Sequence, residues 1–277
     1  MPVARTAVSL LRASHLGPTV AVTSVATALA VGDGQGTVGA AAVAAAVLAG
    51  QLAIGWTNDG VDAARDIAAA RTDKPVALGT VSVQQVTVAA WVAGLVCLPL
   101  SLNLGVVAAG LHVGGVVGSG LVYDLRLKAS AWSWAPFAVA FGLLPAVVTW
   151  SGPDPGWPPP WVMAAGSLLG VAAHLVNTLP DLADDEAAGV RGLPHRLGPR
   201  GTRGATALTL GAATAVLVLG PPGPPGTAGW LVLALGTVAL VVALGRTWPA
   251  RSRTPFVLVA AVAVVDVAVL VASGPLA

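Results

Sequence analysis

With 277 residues, of which 56% are hydrophobic and only 9% charged, the chain falls far below the roughly 25% charge of a soluble domain, and a mean hydropathy of +0.82 excludes a water-soluble globular protein. The net charge of +2 says little about partners by itself; no nucleic-acid partner is expected, and the informative feature is how charge segregates along the chain. Cys97 is the only cysteine, which excludes an intramolecular disulfide and a cysteine metal site.

Apolar runs of about 20 residues, long enough to cross a membrane as helices, occur nine times, at roughly 15–31, 36–56, 82–102, 104–122, 131–150, 160–178, 204–220, 227–245 and 254–273. The chain therefore reads as one all-α polytopic membrane domain over 1–277, with short connections. Its 14 Lys and Arg residues sort without exception. Arg5 and Arg12 precede the first run, Arg65, Arg71 and Lys74 follow the second, and Arg126 and Lys128 follow the fourth. Arg191, Arg196, Arg200 and Arg203 follow the sixth, and Arg246, Arg251 and Arg253 the eighth. The opposite loops, VGDGQG, PLSLN, SGPDPGWPPP and GPPGPPG, contain none. By the positive-inside rule the N-terminus and the charged loops are expected in the cytoplasm of a prokaryotic cell, with the C-terminus outside. Ala28-Leu29-Ala30 after an Arg-flanked apolar run resembles a signal-peptide cleavage site. The eight further spans and the charge pattern favour a retained helix.

At the cytoplasmic end of the second run Asn58, Asp62 and Asp66 stand at i, i+4 and i+8, and Asn177, Asp181 and Asp185 repeat that spacing at the cytoplasmic end of the sixth. Each triplet is expected to form a polar stripe about 12 Å long on one helix face. Facing carboxylate stripes repel unless cations lie between them, and hard oxygen ligands suit Mg²⁺. Asn and Asp also gather at helix ends as caps, but two copies at one spacing and one depth favour a site. Cationic segments follow: Arg71-Thr-Asp-Lys74-Pro75, Tyr123-Asp-Leu-Arg126-Leu-Lys128 and Gly189-Val-Arg191-Gly-Leu-Pro-His195-Arg196. Bases for anions beside acids for metals point to a phosphate-bearing ligand. In the fourth run Gly110, Gly114 and Gly118 are expected to admit a close neighbouring backbone. His174 and Gln51 fall near the motif faces, deeper in the membrane; His174 either orients an acceptor or takes its proton, or makes a helix-to-helix hydrogen bond. His112, in the glycine-rich fourth run, is less well placed for the same role, and Asp266, in the last run and facing either the cavity or a protein partner, receives none. The Trp residues near run ends, Trp56, Trp132, Trp134, Trp150, Trp157, Trp161 and Trp248, read as an interfacial belt.

Together the Asn-Asp-x2-Asp-x3-Asp run, the Lys-Pro-x3-Gly loop, the Tyr-x2-Arg-x-Lys segment and the second Asp-x3-Asp-x3-Gly run resemble the UbiA superfamily of intramembrane prenyltransferases. The resemblance covers most of the chain. It implies a bundle of about nine helices around a central cavity that opens to the cytoplasmic side, is capped by short cytosolic loop helices and is open sideways to lipid, in which Mg²⁺ is held on the diphosphate of an isoprenyl donor. Carried over residue by residue, Asp62, Asp66, Asp181 and Asp185 are the expected metal ligands and catalytic residues. Asn58 and Asn177 would contact metal-bound water or diphosphate, and Lys74, Tyr123, Arg126 and Lys128 would hold diphosphate oxygens. The acceptor would be lipophilic or aromatic, reached from the membrane lipids. The sequence departs from the family at Lys74, often Arg, at Gly192, often Thr or Ser, and at Asp124, in a segment that lacks the usual Pro. Two other readings stay open: a UbiA-type terpene cyclase, and a non-enzymatic transporter built on two repeats. A CDP-alcohol phosphotransferase fails because DGVDAAR is out of register by one residue.

Overall fold

The computed structural model describes residues 2–187, 189–245 and 254–272, and no strand occurs among them. Helix α1 (Pro2–Ala13) and α2 (Leu16–Gly32) meet at His15, which adopts left-handed φ 54, and Thr6–Ala13 turns 67° against α2. The α1 helix was not anticipated, being too polar and short to read as a span. Next come α3 (Gly36–Ala68), α4 (Val83–Leu102) and a composite rod, Val106–Leu127. The rod consists of α5 (Val106–Ala109), a π-helical stretch Gly110–Val117, α6 (Gly118–Val122) and a second π stretch Tyr123–Leu127. Then follow α7 (Ala135–Ser151), α8 (Pro160–Thr178), the short α9 (Leu182–Ala187), α10 (Leu193–Leu219), α11 (Thr227–Gly245) and α12 (Thr254–Ala272).

Local chemistry sets these boundaries. Ser82 and Gln85 form a capping box at the start of α4, with Gln85 N–H donating to Ser82 Oγ and Ser82 N–H to Gln85 Oε1. Pro136 and Pro160 begin α7 and α8 at positions whose amides need no helical partner. Gly198, at φ 67, kinks α10. Each predicted run coincides with a helix, but five helices are long and apolar enough to span by themselves, six if the bent α1–α2 pair counts as one. Ala135–Ser151 and the described parts Thr227–Val238 and Ala261–Val271 are shorter. Arg246, Trp248, Arg251 and Arg253 lie outside the described residues.

The helices close into a ring: α2 packs on α3, α3 on α4 and on the composite rod, the rod on α7, α7 on α8, α8 on α10, α10 on α11, α11 on α12, and α12 back on α2. Small residues such as Ala26, Ala30, Ala40 and Ala46 fill the core between them, as close packing without a hydrophobic driving force requires. The expected Gly110, Gly114 and Gly118 stripe is a correction: an added Cβ at Gly110 or Gly114 meets nothing within 4 Å, and at Gly118 only its own rod. Gly115 and Gly120 make the close approaches instead, where a Cβ would come 2.5 Å from Leu143 Cδ1 and 2.6 Å from Ile54 Cδ1. Gly115 faces α7 and Gly120 faces α3, so the close approaches lie on two sides of the rod rather than along one four-residue stripe.

Gly55 on α3 seats the α1–α2 corner. A Cβ there would fall on the Ser14 backbone, 2.7 Å from its carbonyl carbon; Trp56 Nε1 donates to Leu10 O at 2.7 Å and Thr19 Oγ1 to Ser14 O at 2.8 Å beside it. Gly55→Ala is expected to lower stability by about 1–3 kcal/mol through overpacking, seen as a lower melting temperature in detergent. An unchanged melting curve would mean that the corner is not seated on α3.

Candidate active site

The Ala-rich α3 continues well past its predicted end, so Asn58, Asp62 and Asp66 share one uninterrupted helical face. The second triplet does not form one stripe, which corrects the expectation. Pro180 has no amide to continue the helical ladder, so α8 stops at Thr178, although Leu179 keeps helical φ −55 and ψ −43, and α9 starts at Leu182. Asn177 ends α8, Asp181 sits in the turn, and Asp185 lies on α9 with its N–H donating to Asp181 O at 2.8 Å.

Both sets line one cleft of about 410 Å³, together with Lys74, Tyr123 and Lys128. Arg126 is exposed and does not line it. The second π turn explains the difference: Lys128 N–H donates to Tyr123 O at 2.9 Å, and the i→i+5 winding puts Tyr123 and Lys128 in the cleft lining and leaves Arg126 out of it. The same winding buries Asp124, whose Oδ1 accepts from Asn58 Nδ2 at 2.7 Å.

Cations offset most of the motif carboxylates. Asp62 is paired with both Arg65 and Lys128. Arg71 Nη2 lies 3.3 Å from Asp181, and His195 Nε2 lies 3.7 Å from Asp185. Lys74 Nζ donates to the buried Asp59 Oδ1 at 2.7 Å, and His15 Nε2 stands 3.0 Å from the same oxygen. Outside the spans, Arg71 also grips Asp73 through two hydrogen bonds of 2.9 Å and holds its carboxyl down to about 2. Asp185 shifts the other way. Burial raises it most, with the charges of Asp181 and Asp62 adding and Lys128 opposing, so acids of the two motifs feel each other across the cleft.

Arg12, His15, Arg71, Asp73, Asp124 and Phe137 also line the cleft without having been predicted there. Arg71, Asp73 and Asp124 stood in the charged segments of the sequence. His15 left no signal, because a bend between two helices brings it in. His174, of uncertain role in the sequence, does line the cleft and is bonded at Nε2 to Ser133 Oγ at 3.0 Å. His112 is bonded instead to Ser101, and Asp266 accepts from Thr214; neither lines the cleft.

Among the described residues no three His, Cys, Asp or Glu side chains are gathered closely enough to hold a metal by themselves. The donor set still fits Mg²⁺. That ion takes one or two carboxylates and completes its shell with water and substrate phosphate oxygens, and Asp62, Asp66, Asp181 and Asp185 offer such carboxylates from opposite walls.

A helical membrane bundle with acids and bases at one end of a cleft and Ile54, Phe137 and His174 at the other defines a membrane-embedded site for a ligand with an anionic head and an apolar tail. Residues 19–265 match the UbiA prenyltransferase family, and the chain belongs to that family. Similar structures include a UbiA homologue from Aeropyrum pernix K1, 20% identical with TM-score 0.72, covering 93% of this chain and 98% of that one. A digeranylgeranylglyceryl phosphate synthase is 13% identical, with TM-score 0.68 and 96% of each chain covered. A UbiA homologue from Archaeoglobus fulgidus, bound to GPP and Mg²⁺, is 15% identical with TM-score 0.64, covering 95% and 99%. At these identities the likeness is one of fold. No curated protein sequence matches the chain.

Proposed function

We propose that the chain is an Mg²⁺-dependent intramembrane prenyltransferase that ionises an isoprenyl diphosphate and passes the prenyl group to a lipophilic or aromatic acceptor. One observation carries this reading: the acids of both motifs and the bases Lys74, Arg71 and Lys128 meet around one cleft that ends in aromatic and aliphatic side chains. The solved Archaeoglobus homologue with GPP and Mg²⁺ supports the same donor class. Asp62, Asp66, Asp181 and Asp185, with Asn58 and Asn177, are the residues that would hold the metal, which when bound neutralises charge on the diphosphate.

The chain's own residues supply the rest. Lys128, which rests on Asp62, and Lys74, which rests on Asp59, would donate to diphosphate oxygens at the charged end of the cleft. The allylic C–O bond breaks, the diphosphate leaves with the electron pair, and the acceptor bonds to the allylic carbon and loses a proton. Ile54 and Phe137 keep water from the allylic cation, which water would quench to the alcohol.

Mass spectra of products formed with a pool of aromatic acceptors test the transfer. A product heavier than its acceptor by the prenyl group supports transferase; a hydrocarbon or alcohol derived from the donor alone means a cyclase. The cleft's charged mouth is proposed to face the cytoplasm. A cysteine at the exposed Arg126, with the sole native cysteine, Cys97, only 2% exposed, is expected to react with an impermeant maleimide in inverted vesicles and not in intact cells. Labelling in intact cells would reverse the topology.

A further inference from the structure

The inner end of the cleft is aromatic, although the chemistry at its charged end does not require that. Tyr123 and Phe137 rings meet edge to face at 5.0 Å, Tyr123 and His174 at 5.6 Å, and Phe137 and His174 lie 4.7 Å apart. His174 is locked in place. Ser133 Oγ, fully buried, accepts from Leu193 N–H at 3.0 Å and has His174 Nε2 at 3.0 Å as its remaining partner, so its single proton goes to that nitrogen. Phe137 lines the cleft. One helical turn deeper on the same face of α7, Phe141 lines a second cavity of about 40 Å³, walled by Leu29, Leu144, Val162 and Leu169, that shares no lining residue with the cleft. Phe141 is pressed on the bare backbone of α8, where a Cβ at Gly170 would stand 2.8 Å from its Cβ and 2.9 Å from its Cγ. Cleft and chamber are thus stacked along α7 and α8, with the two phenyl rings between them.

Resting on the prenyltransferase reading above, we propose that Phe137, braced by Tyr123 and His174, is the stop that limits the donor's tail to five or ten carbons. The small chamber behind Phe141, which the buried Asp266 also lines, is the first space a longer tail would enter. The charged groups fix the diphosphate at the mouth, so tail length is counted from there. On α3 the lining below Asn58 ends at Gln51, about 10 Å at 1.5 Å per residue. An isoprene unit extends about 5 Å at carbon–carbon bond lengths near 1.5 Å, so one or two units fit above the floor.

The test is diphosphate release in lipid nanodiscs with Mg²⁺, comparing dimethylallyl, geranyl, farnesyl and geranylgeranyl diphosphates on wild type, Phe137→Ala and Phe137→Ala/Phe141→Ala. Thermal shifts with the matching thiolodiphosphates read tail binding without turnover. Wild type is expected to favour the five- and ten-carbon donors over the twenty-carbon one by at least about tenfold in kcat/KM, the scale on which a closed apolar pocket discriminates. The double variant is expected to narrow or invert that ratio, mainly through a lower KM for the long donors. Phe137→Leu, which keeps an apolar filler, is expected to shift the ratio the same way by less if the alanine variants do not fold. Equal use of the twenty-carbon donor by wild type, or an unaltered profile in the variants, overturns the floor and leaves the prenyltransferase reading standing. No release and no thermal shift with any donor overturns that reading, and the floor with it.

Discussion

Asp62→Ala and Asp181→Ala are each expected to lower diphosphate release by at least about 10²-fold, the scale of losing one fixed group that stabilises developing charge, while the protein stays folded. The two residues come from different motifs and different walls of the same cleft, so a large loss at both positions tests whether the motifs act as one site. Asp62 should be the more severe. Both Arg65 and Lys128 rest on it, and its removal deletes a metal ligand and leaves those two cations facing each other. Glu186, exposed and outside the cleft, is the control: Glu186→Ala is expected to retain wild-type release. Full turnover in both aspartate variants would defeat the two-motif reading.

Lys74→Met is expected to destabilise the fold by about 3 kcal/mol, the low end of the cost of stripping one partner from a buried ion pair. Asp59 is 1% exposed. Its Oδ1 receives Lys74 and His15, and its Oδ2 has no partner, so without Lys74 a charge remains in the interior with only a half-exposed histidine beside it. Because Asp59 lies on α3, Lys74 on the following loop and His15 at the α1–α2 corner, one carboxylate ties three segments together beside the cleft. Asp59→Asn/Lys74→Met, which removes both charges, should recover part of the loss in a double-mutant cycle of melting temperatures. A melting temperature for Lys74→Met equal to wild type would mean that the pair does not hold this corner.

These particular residues mark how far the sequence could be read. Among the described residues each apolar run falls on a helix, because a backbone in lipid must satisfy its own hydrogen bonds. Asn58, Asp62 and Asp66 were legible as one face because nothing in the Ala-rich α3 interrupts the helical period. The second triplet carried the same spacing but also Pro180, which outranks periodicity and moves Asp181 and Asp185 off α8. The π turns left no mark in the sequence. The second of them admits Lys128 to the cleft while leaving Arg126 outside. His15 and Asp59 depend on a tertiary contact, the seating of Ser14 on Gly55, that no local pattern encodes.

The most direct test of the central claim is diphosphate release by the purified protein in lipid, from dimethylallyl or geranyl diphosphate with an aromatic acceptor pool, in Mg²⁺ and again in chelator. Release that requires Mg²⁺, stops on chelation and returns when the ion is restored is the predicted result. Release indifferent to chelator, or none from a folded sample with any isoprenyl donor, would contradict the account.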